Sequence, residues 1–226
     1  MTQAGLSLRV TGLTVEGDRG RRLLSVPALA VSPGTCVGLT GPSGAGKSTF
    51  LYALAGLSRR ASGAVTWGDT DLLTLSRDRR ARFRRNNMGI VFQDSLLFEE
   101  LSAAENAALV GAFLPADRRR AVARRAREEL AGLAVPLEPV RRADTYSGGE
   151  RQRIALARAL ANDPGIVLAD EPTASLDRAT ADRLVDDLTR LVRASGKSLV
   201  AVSHDRALLD RMDRVLVIEN GEVQGA

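Results

Sequence analysis

Hydrophobic and polar positions follow two patterns that alternate along this chain. Short runs rich in Val, Leu and Ile recur between longer stretches in which apolar residues return every three or four positions. The first pattern is typical of buried strands and the second of amphipathic helices, so their alternation predicts an α/β protein with a largely parallel sheet covered by helices. We expect buried strands over residues 37–40, 64–67, 88–92, 166–169, 198–202 and 215–219.

Both ends of the chain predict a more antiparallel part of the sheet. Residues 6–15 alternate apolar and polar side chains, which indicates a half-exposed strand that opens a more antiparallel edge of the sheet. Asn220-Gly221 is a tight-turn dipeptide that should lead into a last short strand.

The pattern changes between residues 93 and 163, where β-branched runs vanish and Ala, Leu and Arg dominate. This change predicts an inserted helical subdomain. Its expected parts are a helix over residues 115–132, a loop over 135–146 and a second helix over 150–162. The chain is then one domain, residues 1–226, with a core of residues 1–92 and 164–226 and a helical subdomain of residues 93–163.

Composition limits the classes of function. The 226 residues are 44% hydrophobic and 26% charged, as in an ordinary soluble globular protein. No apolar run approaches the roughly 18 to 20 residues that span a bilayer, and no signal-peptide pattern opens the chain. The single cysteine, Cys36, excludes an internal disulfide and a cysteine metal cluster, and we expect it to be a buried strand residue.

The net charge of +5 comes almost entirely from arginine, since Lys47 and Lys197 are the only lysines among 32 basic residues. The arginines are spread along the chain, so no nucleic-acid partner is expected. The densest cluster lies at residues 77–85. It is either a solvated helix face or a surface near lipid headgroups or an acidic partner loop.

A glycine-rich segment, the phosphate loop (residues 41–49), joins the strand at 37–40 to a helix expected over 47–55. It matches G-x-x-x-x-G-K-[ST] in the strand–loop–helix context that this motif requires. Backbone N–H groups and the helix dipole favour phosphate here, Lys47 should reach the β- and γ-phosphates, and the Ser48 hydroxyl should bind Mg²⁺. The predicted nucleotide-binding residues are Gly41, Pro42, Ser43, Gly44, Ala45, Gly46, Lys47, Ser48 and Thr49.

Four polar residues come directly after predicted strands, where parallel strands bring their carboxyl ends to one edge. Asp170 is placed to hold Mg²⁺, and Glu171 to orient and polarise the attacking water. The Gln93 amide is a candidate for both the metal and the water. His204, the only histidine, is a candidate contact of the γ-phosphate.

A second anion site is indicated by the Ser-Gly-Gly turn, Ser147-Gly148-Gly149, which lies about a hundred residues after the phosphate loop. It offers a hydroxyl and unhindered N–H groups at a helix N-terminus, and one bound nucleotide does not need both sites. Glu150 completes a capping box with Ser147.

Taken together with Ser175-Leu176-Asp177, these motifs resemble the ordered motif set of the ATP-binding-cassette (ABC) ATPases. Residues 85–93 and 170–177 are most similar to the subunits that drive lipoprotein-release and macrolide-export permeases. The resemblance implies an α/β P-loop NTPase (RecA-like) fold with a parallel-sheet core, an antiparallel β edge and an inserted α-helical subdomain. It also implies ATP and Mg²⁺ as ligands and ATP hydrolysis coupled to transport.

The resemblance further implies a homodimer in the ATP-bound state. Two ATP molecules would lie between the phosphate loop of one subunit and Ser147, Gly148 and Gly149 of the other, with Asp177 near the interface. A separate integral membrane permease would be the partner, so membrane contact would be indirect, at the cytoplasmic face of the inner membrane. Leu96, Leu97 and Phe98, within residues 94–100, either form the permease docking surface or fill the subdomain core.

Two other classes of function stay open. One is a cassette that transmits force to a membrane partner without moving a substrate, as in cell-division relatives. The other is a nucleic-acid-linked cassette. Such proteins usually carry two cassettes per chain or a long coiled coil, and this chain has neither.

The chain departs from the family at three places. Tyr146 replaces the usual leucine, which should alter packing, and Glu150 stands where glutamine is most common. No aromatic residue lies between residues 11 and 34, where the family usually supplies a ring that stacks on adenine at Gly17 or a neighbour. A guanidinium of Arg19, Arg21 or Arg22 stacking there instead predicts relaxed base selectivity.

Overall fold

One mixed sheet of ten strands organises the described part of the chain, which in this computed structural model is residues 3–224. The strands are β1 (Leu8–Glu16), β2 (Arg22–Val31), β3 (Cys36–Thr40), β4 (Ala61–Trp67), β5 (Thr70–Asp71), β6 (Met88–Val91), β7 (Ile166–Asp170), β8 (Ser198–Val202), β9 (Arg214–Glu219) and β10 (Glu222–Gln224). Their order across the sheet is β5-β4-β1-β2-β10-β9-β3-β8-β7-β6.

The strands β9, β3, β8, β7 and β6 are mutually parallel and form the core that the apolar runs predict. Both faces of these strands are covered. In β7, Ile166 and Leu168 join one buried cluster while Val167 and Ala169 join the other. Side chains alternate between the faces of a strand, so a strand that is covered on both faces appears as an unbroken apolar run. Cys36 is buried in β3, as expected.

Seven α-helices lie in the described residues. They are α1 (Lys47–Leu54), α2 (Arg77–Asn87), α3 (Ala103–Ala107), α4 (Ala116–Gly132), α5 (Gly148–Leu160), α6 (Arg178–Ala194) and α7 (Arg206–Leu209). Short 3₁₀ turns occur at Asp18–Gly20, Leu72–Thr74, Leu109–Phe113 and Ala143–Thr145. None of these helices has both the length and the apolarity needed to cross a bilayer. Helices α3, α4 and α5 occupy the segment between β6 and β7; its division from the core as a subdomain remains a prediction.

The N-terminal strands form the antiparallel part of the sheet that the sequence predicts, and they include one strand, β2, that the sequence did not predict. β1 is antiparallel to both β2 and β4, so it lies inside the antiparallel part, and β5 forms the edge. The sequence reading missed β2 because Pro27 interrupts an otherwise alternating run, and proline normally argues against a strand interior. The Asn220-Gly221 turn leads into β10, as predicted.

The arginine cluster of residues 77–85 has a partly structural role. On α2, Arg80 donates to the Leu75 carbonyl at 3.2 Å, and Arg84 donates to the Gly56 carbonyl at 3.2 Å, just beyond α1. These two guanidinium groups hold α2 against the end of α1. The two interpretations of the cluster therefore concern its exposed members, Arg77, Arg79 and Arg82.

Candidate functional site

The phosphate loop connects the carboxyl end of β3 to α1, as the motif predicts. It bends closely around β9. Gly41 has φ 143°, and a Cβ there would lie 2.0 Å from the Ile218 carbonyl oxygen, so only glycine fits. The non-helical part of this segment ends at Gly46, the N-cap of α1. All nine predicted residues, 41–49, belong to this loop and the first turn of α1.

The polar side chains of the loop are held by short hydrogen bonds. The Lys47 ammonium donates to the carbonyl oxygens of Gly41 and Pro42 at 2.8 and 2.9 Å. The Ser48 hydroxyl donates to Oδ1 of Asp170 at 2.9 Å. Asp170 ends β7 and is only 3% exposed, so the hydroxyl and the carboxylate predicted to bind one metal ion are already adjacent.

Glu171 follows Asp170 in a strained backbone conformation. Its φ is 43°, which is uncommon outside glycine and recurs at active sites. The backbone is fixed by a hydrogen bond from the Glu171 N–H to the Val202 carbonyl at 3.0 Å. Oε2 accepts the backbone N–H of His204 and Oε1 lies near His204 Nε2, both at 3.3 Å. The structure thus joins the two predicted catalytic residues at the ends of neighbouring strands.

Gln93, the third predicted catalytic residue, is exposed after β6 and lines the same cavity as Lys47, Glu171 and His204. This cavity, of about 290 Å³, opens over the phosphate loop. A larger one of about 680 Å³ adjoins it and shares Gln93, Glu171 and His204. The three side chains therefore lie where a nucleotide on the loop would present its terminal phosphate.

Sequence reasoning missed Tyr52, which lies beside Asp170. Burial and hydrogen bonding to Asp170 raise the pKa of Tyr52 to about 12. Its ring also contacts Phe92, with centroids 6.3 Å apart. The signal was available, because Tyr52 lies four residues after Ser48 and so on the same face of α1.

The Ser-Gly-Gly turn begins α5 with the expected capping box. The Ser147 backbone N–H donates to Glu150 Oε2 at 2.9 Å, and the Glu150 N–H donates to the Ser147 hydroxyl oxygen at 3.3 Å. Arg141 pairs with Glu150 at 3.1 Å. None of Ser147, Gly148 and Gly149 is among the described residues that line the cavity over the phosphate loop.

Gly149 is in close contact with the start of α6. A Cβ at Gly149 would lie 2.2 Å from Thr180 Cγ2. Thr180 donates its backbone N–H to Oδ1 of Asp177, the N-cap of α6, at 3.1 Å. Hydrogen bonds from Thr180 hold the pKa of Asp177 below its usual value. Asp177 and the Ser-Gly-Gly turn therefore belong to one connected surface.

Comparison with known proteins shows to which family this chain belongs. The model of a family described as ABC transporter matches residues 24–174, from β2 to just past Glu171. The chain belongs to the ABC transporter family. It is 41% identical over 223 residues to the lipoprotein-releasing system ATP-binding protein LolD 1 of Rhodospirillum rubrum, covering 97% of this chain and 98% of that protein. The LolD protein of Bordetella pertussis is 44% identical over 211 residues, which cover 92% and 90% of the two chains.

Solved structures of this family have the same fold. The dimeric post-hydrolysis structure of the ATP-binding cassette MJ0796, bound to ADP and Pi, matches with a TM-score of 0.84 at 32% identity, covering 96% of both chains. A second dimeric structure of MJ0796 matches with a TM-score of 0.85. The P-loop NTPase fold predicted from the sequence is confirmed, and the chain is an ABC ATPase that binds and hydrolyses ATP.

The departures from the family are accommodated locally. The Tyr146 hydroxyl donates to the Pro136 carbonyl at 2.8 Å, and the Arg141 guanidinium lies 3.9 Å above its ring. Tyr146 thus fastens the loop before α5. Near the predicted adenine position, Arg22 pairs with Glu222 at 3.8 Å, and the Arg19 side chain lies outside the described part. Stacking of an arginine on the base remains a prediction.

Proposed function

We propose that this chain is the ATP-hydrolysing subunit of an ABC transporter and that it powers a separate integral membrane permease from the cytoplasmic face of the membrane. The ATP-bound form is a homodimer with two nucleotides at the interface. The relatives named as lipoprotein-releasing ATP-binding proteins favour a permease of that type, with lipoproteins as its substrates.

The observation that carries the proposal is the separation of two anion sites in one chain. The phosphate loop has its own cavity, and the Ser-Gly-Gly turn lies outside it. A helix N-terminus that presents a serine hydroxyl and glycine N–H groups suits a phosphate, which a second subunit can supply. ATP then acts as the contact between subunits, and its differential affinity for the closed form drives dimerisation.

The phosphate loop and Asp170 also suit a Mg²⁺ ion. Ser48 and Asp170 offer two hard oxygen ligands whose donor and acceptor atoms are 2.9 Å apart, and the exposed Gln93 amide faces the same cavity. Magnesium typically takes one or two protein oxygens and completes its shell with phosphates and water. Bound there, it would neutralise charge on the β- and γ-phosphates.

Hydrolysis is assigned to three side chains around the same cavity. Glu171 orients the attacking water and accepts its proton, and the hydrogen bond from the His204 backbone keeps the carboxylate aimed at it. The His204 imidazole lines the same cavity and would donate to the γ-phosphate of a nucleotide bound there. Gln93 lines the same cavity and directly precedes the next loop of the chain, so it connects the reaction site with that loop.

That following loop, residues 94–100, is the proposed docking surface for the permease. Leu96 and Phe98 are 58% and 54% exposed, while Leu97 packs against the buried cluster of the helical segment. Arg158 donates to the carbonyl oxygens of Ser95 and Leu96 at 2.7 and 2.6 Å and holds the loop in place. Movement of the permease would thus reach Gln93 directly.

The test of the proposal is Glu171→Gln, with Glu128→Gln as the matched control. The amide cannot accept the water's proton, so we expect hydrolysis to slow by about 10²- to 10⁴-fold, or about 3–5 kcal/mol of barrier, while ATP binding persists. Glu128 is exposed on α4, and its variant should turn over ATP normally. Phosphate release measures both rates.

The same variant tests dimerisation. With hydrolysis blocked, ATP should convert E171Q from monomer to dimer in analytical ultracentrifugation, and ADP should not. A variant that hydrolyses ATP within twofold of the wild-type rate would remove Glu171 from its role. A monomer at saturating ATP would remove the Ser-Gly-Gly turn from its role.

A further inference from the structure

Leu23 occupies an irregularity at the start of β2. Val15 pairs with Leu24 and Glu16 pairs with Arg22, so the register shifts and Leu23 is the extra residue between the two pairs. A bulge of this kind re-aims a side chain out of the regular alternation. Leu24 is fully buried, whereas Leu23 is 38% exposed.

The turn before β10 fixes this bulge against the phosphate loop. The Ser25 N–H donates to the Gly221 carbonyl at 2.6 Å, and the Gly221 N–H donates to the Ala45 carbonyl at 3.1 Å. A Cβ on Gly221 would lie 2.6 Å from the Leu23 carbonyl oxygen, and one on Gly46 would lie 3.1 Å from it. The backbone of Leu23 therefore has a fixed position beside the loop that holds the phosphates.

Leu23, whose residue is 38% exposed, lines the cavity over the phosphate loop, together with Lys47, Ser48 and Glu171. Among the described residues that line this cavity, it is the only large apolar side chain, and no aromatic ring is present. A nucleotide whose phosphates lie on the loop has one end that gains from apolar contact, which is its base.

Gly17 makes room for this arrangement. A Cβ at Gly17 would lie 3.0–3.2 Å from three carbon atoms of the Leu23 side chain, so a larger residue there would displace Leu23. Gly17 is held in place by Arg60, which donates to its carbonyl at 2.7 Å, and by its own N–H, which donates to the Arg21 carbonyl at 2.8 Å. Leu23 thus occupies the space that a side chain at Gly17 would take.

We propose that Leu23 is the surface on which the nucleotide base rests and that it sets base selectivity in this ATPase. The proposal builds on the nucleotide hydrolysis described above and adds a base contact to it. A leucine side chain has no hydrogen-bond donor or acceptor, so it contacts adenine and guanine alike. ATP and GTP are therefore hydrolysed with similar kcat/KM.

The decisive variant is Leu23→Ala. Losing this apolar contact should raise KM for ATP and for GTP by about 3- to 10-fold with kcat within about twofold, since the reacting groups are untouched. Leu57→Ala is the matched control, because Leu57 is 40% exposed and lies outside the cavity. Inorganic tripolyphosphate should inhibit wild type and L23A with the same inhibition constant, because it has no base.

Leu23→Trp keeps the test independent of any folding defect in L23A. A stacked indole should lower KM for both nucleotides. The proposal is overturned if L23A and L57A have the same KM, or if the wild type prefers ATP over GTP by more than about 50-fold, as a site that reads the base by hydrogen bonds would. It is also overturned if Arg22→Ala raises KM and L23A does not, since an arginine would then hold the base. The wild-type rate of ATP hydrolysis is measured in the same assay, so each of these outcomes contradicts the base contact without contradicting the assignment of ATPase activity.

Discussion

The variant Lys197→Met should measure how much a partly buried cluster of ion pairs stabilises the packing of the helical segment on the sheet. The Lys197 ammonium donates to Asp163 Oδ1 at 2.6 Å, and the residue is only 3% exposed. Asp163 also pairs with Arg125 of α4 at 2.9 Å and accepts the Gln3 N–H at 2.9 Å. The cluster thus joins α4, the end of α5, the start of β8 and the N-terminal segment.

The expected loss follows from what remains after the substitution. Methionine keeps the length of lysine, so the variant loses a charge with little change in packing. Removing one member of a buried ion pair costs about 3–5 kcal/mol when the other charge is left alone. Asp163 keeps Arg125 and the Gln3 N–H, so we expect the free energy of unfolding to fall by about 2–3 kcal/mol. For a domain of 226 residues this lowers the Tm by about 4–12 °C.

Urea unfolding followed by circular dichroism measures the loss, with Arg124→Met as the control. Arg124 lies 3.8 Å from Glu128 and both side chains are exposed, so breaking that pair should cost no more than about 0.5 kcal/mol. The double variant K197M/D163N should lose less than the sum of its single variants, because a neutral amide needs no cation. A K197M loss below about 1 kcal/mol, in the range of exposed pairs, would refute the reasoning.

Two predictions concern carboxylates with lowered pKa values. Burial opposes ionisation of Glu150, but hydrogen bonds from Ser147 and the charge of Arg141 outweigh it and hold its pKa below its ordinary value. Glu150→Gln therefore removes a negative charge beside the second anion site. It should lower the dissociation constant of the ATP-dependent dimer by about 3- to 10-fold at low salt, and by less at high salt. An unchanged or higher dissociation constant in analytical ultracentrifugation would contradict this. Desolvation likewise opposes ionisation of Asp163, but the Lys197 and Gln3 hydrogen bonds lower its pKa. A lowered carboxyl pKa stabilises the folded protein above the unfolded value of about 3.9, and this stability disappears as the pH falls through the folded pKa. Urea midpoints should thus decline below about pH 4 and decline less in Asp163→Asn; equal slopes would contradict the assignment.

The parts of the site that sequence predicted are those whose geometry depends on neighbours in the chain or on the rule that parallel strands end at one edge. Ser48 is fixed by the loop that precedes it. Asp170 ends a buried strand, β7, and Glu171 follows it; in the sheet, β7 is separated from β3, the strand that leads into the loop, by β8 alone. Their meeting therefore required only correct strand assignments and a parallel sheet.

The base contact depends on segments that no local pattern connects. The Leu23 bulge arises where β1 and β2 lose register, and its distance from the phosphate loop is set by Gly221, near the other end of the chain. Pro27 interrupts the alternating pattern of β2, so the strand that carries Leu23 could not be predicted from periodicity. A sequence search for the base contact looks for a ring or a guanidinium on the loop near Gly17. The contact that we propose from the structure is an aliphatic side chain six residues further on, that of Leu23, which lies beside the backbone of Gly17.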